Sequence, residues 1–205
     1  ICMLLSCILF ISAMCGCGYN DTSDTPSLSN SWQEFELSLD NSKIKLPCKF
    51  SDIKALGWTI NEDFSDEEKA GSLSANSITD NALCTVNKDY ESYLFLTMAN
   101  TSDSNMPYDE CTVIGLQITV TDNPKKSPTL TLAGGITWGS DVNDVVAAYG
   151  APLHEPTSVG INSTLCSYHT SNNDTMNLTI DNDKGLSYVY LKLSDNVLVT
   201  ENTDV

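Results

Sequence analysis

Apolar and polar residues alternate along several stretches of the chain, with the period of two expected of strands that bury one face. Leu94, Leu96 and Met98 share one parity, as do Ile114, Leu116 and Ile118. Met176, Leu178 and Ile180 form a third such set, and Val189, Leu191 and Leu193 a fourth. All four are expected to face a core. Asn182-Asp183-Lys184-Gly185 has turn chemistry and predicts a hairpin between the last two strands. Helical spacing is confined to two short stretches. Val142, Val145, Val146 and Tyr149 recur on one face after Ser140 and Asp141, which suit an N-cap, and Asp144 completes an approximate capping box. Gly150 and Pro152 predict its end. The other stretch begins at Pro47, carries Phe50, Ile53 and Leu56, and stops at Gly57.

The same pattern is written twice. Leu83-Cys84-Thr85 and Leu94 to Asn100 match Leu165-Cys166-Ser167 and Met176 to Asn182 at a constant offset of 82. Leu37-Ser38-Leu39 answers Leu130-Thr131-Leu132 at an offset of 93, and Val113 to Ile118 answers Tyr188 to Leu193 at an offset of 75. Ordered matches with a shrinking offset imply a duplicated unit whose first copy has longer loops. The expected fold class is α+β: two tandem repeats, each a short helix packed on an antiparallel sheet of about four strands. Their expected bounds are 32–120 and 129–195, with 121–128 as linker and 196–205 as a polar tail.

The stretch from Gly135 through Thr137-Trp138-Gly139-Ser140-Asp141 to Tyr149-Gly150-Ala151-Pro152 resembles the helix motif of the BamE/SmpA lipoproteins and of β-lactamase inhibitor proteins. The resemblance implies a BLIP/BamE-like tandem fold and a role in scaffolding or protein binding. It carries no contact residues over. The first copy departs from the motif, with Trp58 after Gly57 and no following proline.

Residues 1–14 are almost wholly apolar and uncharged, about the length of a signal-peptide core and too short to span a bilayer. No initiator Met or basic segment precedes them, so the natural chain is expected to start upstream. Met14-Cys15-Gly16-Cys17 resembles a lipobox, which makes residues 1–17 an export signal and Cys17 the lipid-acceptor cysteine. Two acyl chains would anchor the protein stably. Residues 18–31, rich in Asp, Ser, Thr, Asn and Pro, read as a flexible tether with a reach of roughly 20 Å. The expected location is the extracytoplasmic side of the bacterial cell envelope, lipid-anchored at the membrane.

Charge narrows the partners. The chain has 27 acidic residues against 10 basic ones, a formal net charge of −17, and no arginine. Nucleic-acid binding, which depends on neutralising phosphates, is excluded, and anionic membrane surfaces repel such a body. Contact with the membrane is therefore expected through the anchor only.

Candidate chemistry is sparse. Cys48, Cys84, Cys111 and Cys166 lie in the body, and their spacing fits no zinc motif. Free buried thiols and one or two disulfides both stay open; if a bridge forms, Cys48 to Cys84 is favoured. Cys84 and Cys166 hold matching strand positions and are expected to face the core. Asp181 and Asp183 fail the calcium-loop pattern and read as a solvated turn. Glu62, Asp63, Asp66, Glu67 and Glu68 read as a solvated acidic loop within 61–81. His154 and His169 serve no nucleophile motif, so no catalytic residue, metal or cofactor is expected. Tyr93, Phe95, Val113, Tyr188 and Tyr190 alternate with the core positions and are expected on the outer sheet face, where aromatic residues make good binding anchors. The expected function is a non-catalytic binding module presenting that face to a protein or envelope polymer. The alternative is a structural lipoprotein that stabilises a membrane-associated complex.

Overall fold

The alternating stretches form strands. The computed structural model describes residues 26–63, 71–79 and 83–195. A hairpin of β1 (Glu36–Leu39) and β2 (Ser42–Lys45) is followed by β3 (Cys48–Lys49) and α1 (Phe50–Ala55). Short strands β4 (Thr59–Ile60), β5 (Ser72–Leu73) and β6 (Ser77–Ile78) lead to β7 (Leu83–Val86) and the long β8 (Tyr93–Asn100). After β9 (Met106–Pro107) come β10 (Thr112–Thr119), β11 (Leu130–Leu132) and α2 (Val142–Tyr149). The antiparallel run β12 (Thr157–Val159), β13 (Ser163–His169), β14 (Thr175–Asp181) and β15 (Gly185–Lys192) completes the order.

The main sheet runs β12-β13-β14-β15-β10-β8-β7-β4, with β3 added beside β10 and β6 beside β8. Its middle is the β10–β15 pairing, in which Gln117 lies opposite Tyr190 and Leu116 opposite Leu191. A second layer, β11-β1-β2, packs on one face of this sheet. Leu37, Leu39, Leu130 and Leu132 from that layer join Leu94, Leu96, Leu116, Leu178, Val189 and Leu191 in one core. Each such leucine contributes about 1.5–3 kcal/mol by leaving water. Packing between the layers is tight: Phe35, Leu132, Tyr149, Met176 and Leu191 close round a void of only about 10 Å³. The layer also buries one carboxylate. Glu36 bonds Lys43 at 2.8 Å and accepts the Ser29 N–H at 2.9 Å, and these contacts hold its carboxyl below the usual range.

The helices are minor elements, and this overturns the expected fold class. Strand accounts for 42% of the described residues and helix, 3-10 turns included, for 17%, so the architecture is mostly β and is not two helix-on-sheet repeats. Physically, the helices are too short to cover a sheet: α1 has six residues and buries Phe50 and Ile53, and α2 has eight and buries only Val145. Strands β1 and β11, paired with each other, do most of the covering instead. Pro47 does not open a helix either. Cys48 and Lys49 pair with Val113 and Thr112 as a strand, and the helix starts at Phe50. At α2 the local reading matches the geometry. Asp141 Oδ1 accepts the Asp144 N–H at 2.9 Å, and Asp144 Oδ2 accepts the Asp141 N–H at 3.0 Å.

The hairpins that match at an offset of 82 also differ in register. Leu83 lies opposite Leu96, whereas Leu165 lies opposite Thr179 and Cys166 opposite Leu178. A slip of one residue moves every side chain to the other face. Hence Leu83 is buried in the core while Leu165 is only half-buried on the opposite side.

Candidate functional site

The face of the main sheet turned away from β1 and β11 is where four of the five candidate residues meet. Strand parity puts them there. Phe95 on β8 pairs with Gln117 on β10, Gln117 with Tyr190 on β15, and Tyr190 with Asn177 on β14. One row over, Tyr188 pairs with Thr119 on one side and Thr179 on the other, and Tyr93 sits beyond Leu94 at the β8 end. Tyr93 is 45% exposed, and Phe95, Tyr188 and Tyr190 are half-buried. The rings of Tyr93 and Phe95 lie 6.2 Å apart at 44°.

Val113 does not belong to this face. The β8–β10 ladder shifts between Val113 and Gly115, so Ile114 is an extra residue and parity reverses across it. Val113 therefore lies opposite Met98 and Cys48, fully buried. Gly115 permits the bulge: a Cβ there would stand 3.1 Å from the Leu191 carbonyl oxygen and 3.2 Å from Thr97 Cβ. Alternation cannot reveal such an insertion, because Val113, Ile114, Leu116 and Ile118 are all apolar.

Polar residues complete the face. Tyr188 O–H donates to Gln117 Oε1 at 2.9 Å, and burial together with neighbouring Tyr190 raises the Tyr188 pKa, so the phenol stays protonated near neutrality. Asn177 Oδ1 is shut off from solvent and accepts no hydrogen bond from the described residues. An unpaired buried carbonyl of this kind costs about 1–3 kcal/mol. Gln117 and Asn177 have the same parity as the aromatic candidates; attention to apolar residues alone passes over them.

Among the described residues no disulfide joins Cys48, Cys84, Cys111 or Cys166. The favoured Cys48–Cys84 bridge does not form, because the two point to opposite faces. Cys48 stands beside Val113 on the core side, and Cys84 lies opposite Phe95 on the other. Cys84 is thus not core-facing in the manner of Cys166, although both are fully buried; the Asn61 amide approaches its Sγ at 3.9 Å. Burial, reinforced by Asp52, pushes the Cys48 thiol up to about 12, and burial also raises Cys111 and Cys166. Such thiols are poor nucleophiles at neutral pH.

The remaining candidates are scattered. Asp181 Oδ1 accepts the N–H groups of Asp183 and Lys184 at 2.9 and 3.0 Å, which makes it a turn-forming residue. Nearby, Asp141, Asn143, Asp181 and Asp183 edge an open groove of about 330 Å³. His169 Nδ1 lies 3.3 Å from Thr175 Oγ1, and His154 is exposed past α2. Among the described residues no group of three His, Cys, Asp or Glu side chains is placed to hold a metal ion, and no helix is long and apolar enough to cross a membrane. Cys17, residues 18–25 of the tether, Asp66, Glu67 and Glu68 of the acidic loop, and the tail at 196–205 lie outside the described residues.

No family model, no curated protein and no solved structure matches this chain.

Proposed function

We propose that this protein is a non-catalytic binding module, lipid-anchored at Cys17 on the extracytoplasmic side of the bacterial envelope, which presents the outer face of its main sheet to a protein or envelope polymer. The observation that carries the reading is the convergence of Tyr93, Phe95, Tyr188 and Tyr190 on one partly exposed face, drawn from strands that meet only through the β10–β15 pairing. Large amphipathic rings on rigid strands lose little entropy when they are covered, which suits them to recognition. The protonated thiols and dispersed histidines favour binding over turnover.

A crosslinked capture from native envelopes tests this. The full chain is compared with a Phe95→Ser, Tyr188→Ser, Tyr190→Ser variant. Material captured by the unmodified chain and lost in the variant supports the face as the binding site. Identical capture by both, with the variant folded, rejects it.

A further inference from the structure

The chemistry of the outer face narrows the occupant, on the reading that this face is the binding surface. Across the strands the side chains alternate between rings and hydrogen-bonding groups. One row reads Phe95, Gln117, Tyr190, Asn177, Ser167. The next row has Tyr188 between Thr119 and Thr179. The rings stand on β8 and β15, which flank β10. Adjacent strands are about 4.8 Å apart, so Gln117 stands beside Tyr190 on one side as Asn177 does on the other.

Three features separate this surface from a protein-binding patch. Protein interfaces place apolar groups at the centre and polar ones at the rim; here Gln117 lies at the centre, between Phe95 and Tyr190. Second, hydrogen-bonding capacity is unspent. Asn177 Oδ1 accepts no bond, and the Tyr190 hydroxyl makes none among the described residues. The Asn177 amide turns about a broad torsion, so its oxygen can be brought to a hydroxyl lying over Tyr190. Third, neither row contains a charged side chain. The nearest, Lys192 in the flanking row, is paired with Asp195 at 3.0 Å. With a net charge of −17, the protein repels polyanions.

We infer that the face binds a neutral polysaccharide, with Tyr190 stacking on a pyranose ring while Gln117, Asn177 and the Tyr190 hydroxyl bond sugar hydroxyls. Pyranose C–H groups carry partial positive charge and meet the negative face of an aromatic ring favourably. The amides and the phenol supply both donors and acceptors for vicinal hydroxyls.

Affinity electrophoresis suits so acidic a protein. The full chain in non-ionic detergent is run through native gels containing hydroxyethylcellulose, xylan, galactomannan or, as the anionic control, polygalacturonate. Retardation by at least one neutral polymer and not by polygalacturonate is expected, with affinity reduced about tenfold by Tyr190→Ser and severalfold by Asn177→Ala and Tyr190→Phe. Cooperative melting of each variant establishes that it is folded. Absence of retardation in every neutral gel, or retardation unchanged by Tyr190→Ser, overturns the inference. If retardation is absent while the envelope crosslinking above still yields a protein adduct that needs Tyr188 and Tyr190, the glycan is wrong and the face is right. If both fail, the face itself is wrong.

Discussion

The two sides of the main sheet share a backbone and differ in what they offer. On one side Leu94, Leu96, Leu116, Leu178 and Val189 are essentially shut off from water beneath β1 and β11. On the other, Phe95, Gln117, Asn177, Tyr188 and Tyr190 stand on the same strands, half-exposed and uncharged. The first side makes the fold. The second adds little to the core, and its aromatic content is more than solubility requires. The difference teaches that residues one position apart on β8, β10 and β15 answer to separate demands, so stability and binding should be separable by mutation.

The largest stability effect belongs to the covered side. Leu116→Ala is expected to lower unfolding free energy by about 2–5 kcal/mol in denaturant titration, as buried leucine truncations do. Next comes Val113→Thr. If the bulge turns Val113 inward, burying a hydroxyl should cost about 1–3 kcal/mol; an effect within about 0.5 kcal/mol would place the residue on the outer side.

Glu36→Gln probes the single carboxylate buried in the covering layer. Lys43 first, then the Ser29 N–H, lower the Glu36 pKa on folding. Its stabilisation is therefore present above the unfolded value near 4.5 and lost as pH falls through the lower folded value. The variant should show a flatter loss of stability on acidification; an unchanged acid profile would contradict the contact. Smallest of all, Tyr188→Ser and Tyr190→Ser should each change stability by less than about 1 kcal/mol while weakening capture.

Much of this was legible in the sequence, for particular reasons. Strict alternation through Leu94 to Met98 and Met176 to Ile180 identified strands and their buried parity, and Asp141 with Asp144 marked the start of α2. The fold class was not legible. Equal spacing in two hairpins does not fix equal pairing, and Leu83 against Leu96 differs in register from Cys166 against Leu178. Nor could helical spacing at Phe50 and Val142 reveal that both helices would be too short to cover a sheet. On the face itself, Tyr93, Phe95, Tyr188 and Tyr190 followed from parity, and Val113 was lost because nothing in an all-apolar run signals an inserted residue. Gln117 and Asn177 were equally available to parity, and only their pairing beside the rings shows that they matter.

Site-specific photocrosslinking in living cells separates the two sides most directly. A photoreactive residue is placed at Tyr190 on the outer face and, in a second chain, at Lys43 on β2 at the far edge of the covering layer. An adduct formed on irradiation from position 190 and absent from position 43 is the expected result. No adduct from position 190, or equal adducts from both, would contradict a binding role for the outer face.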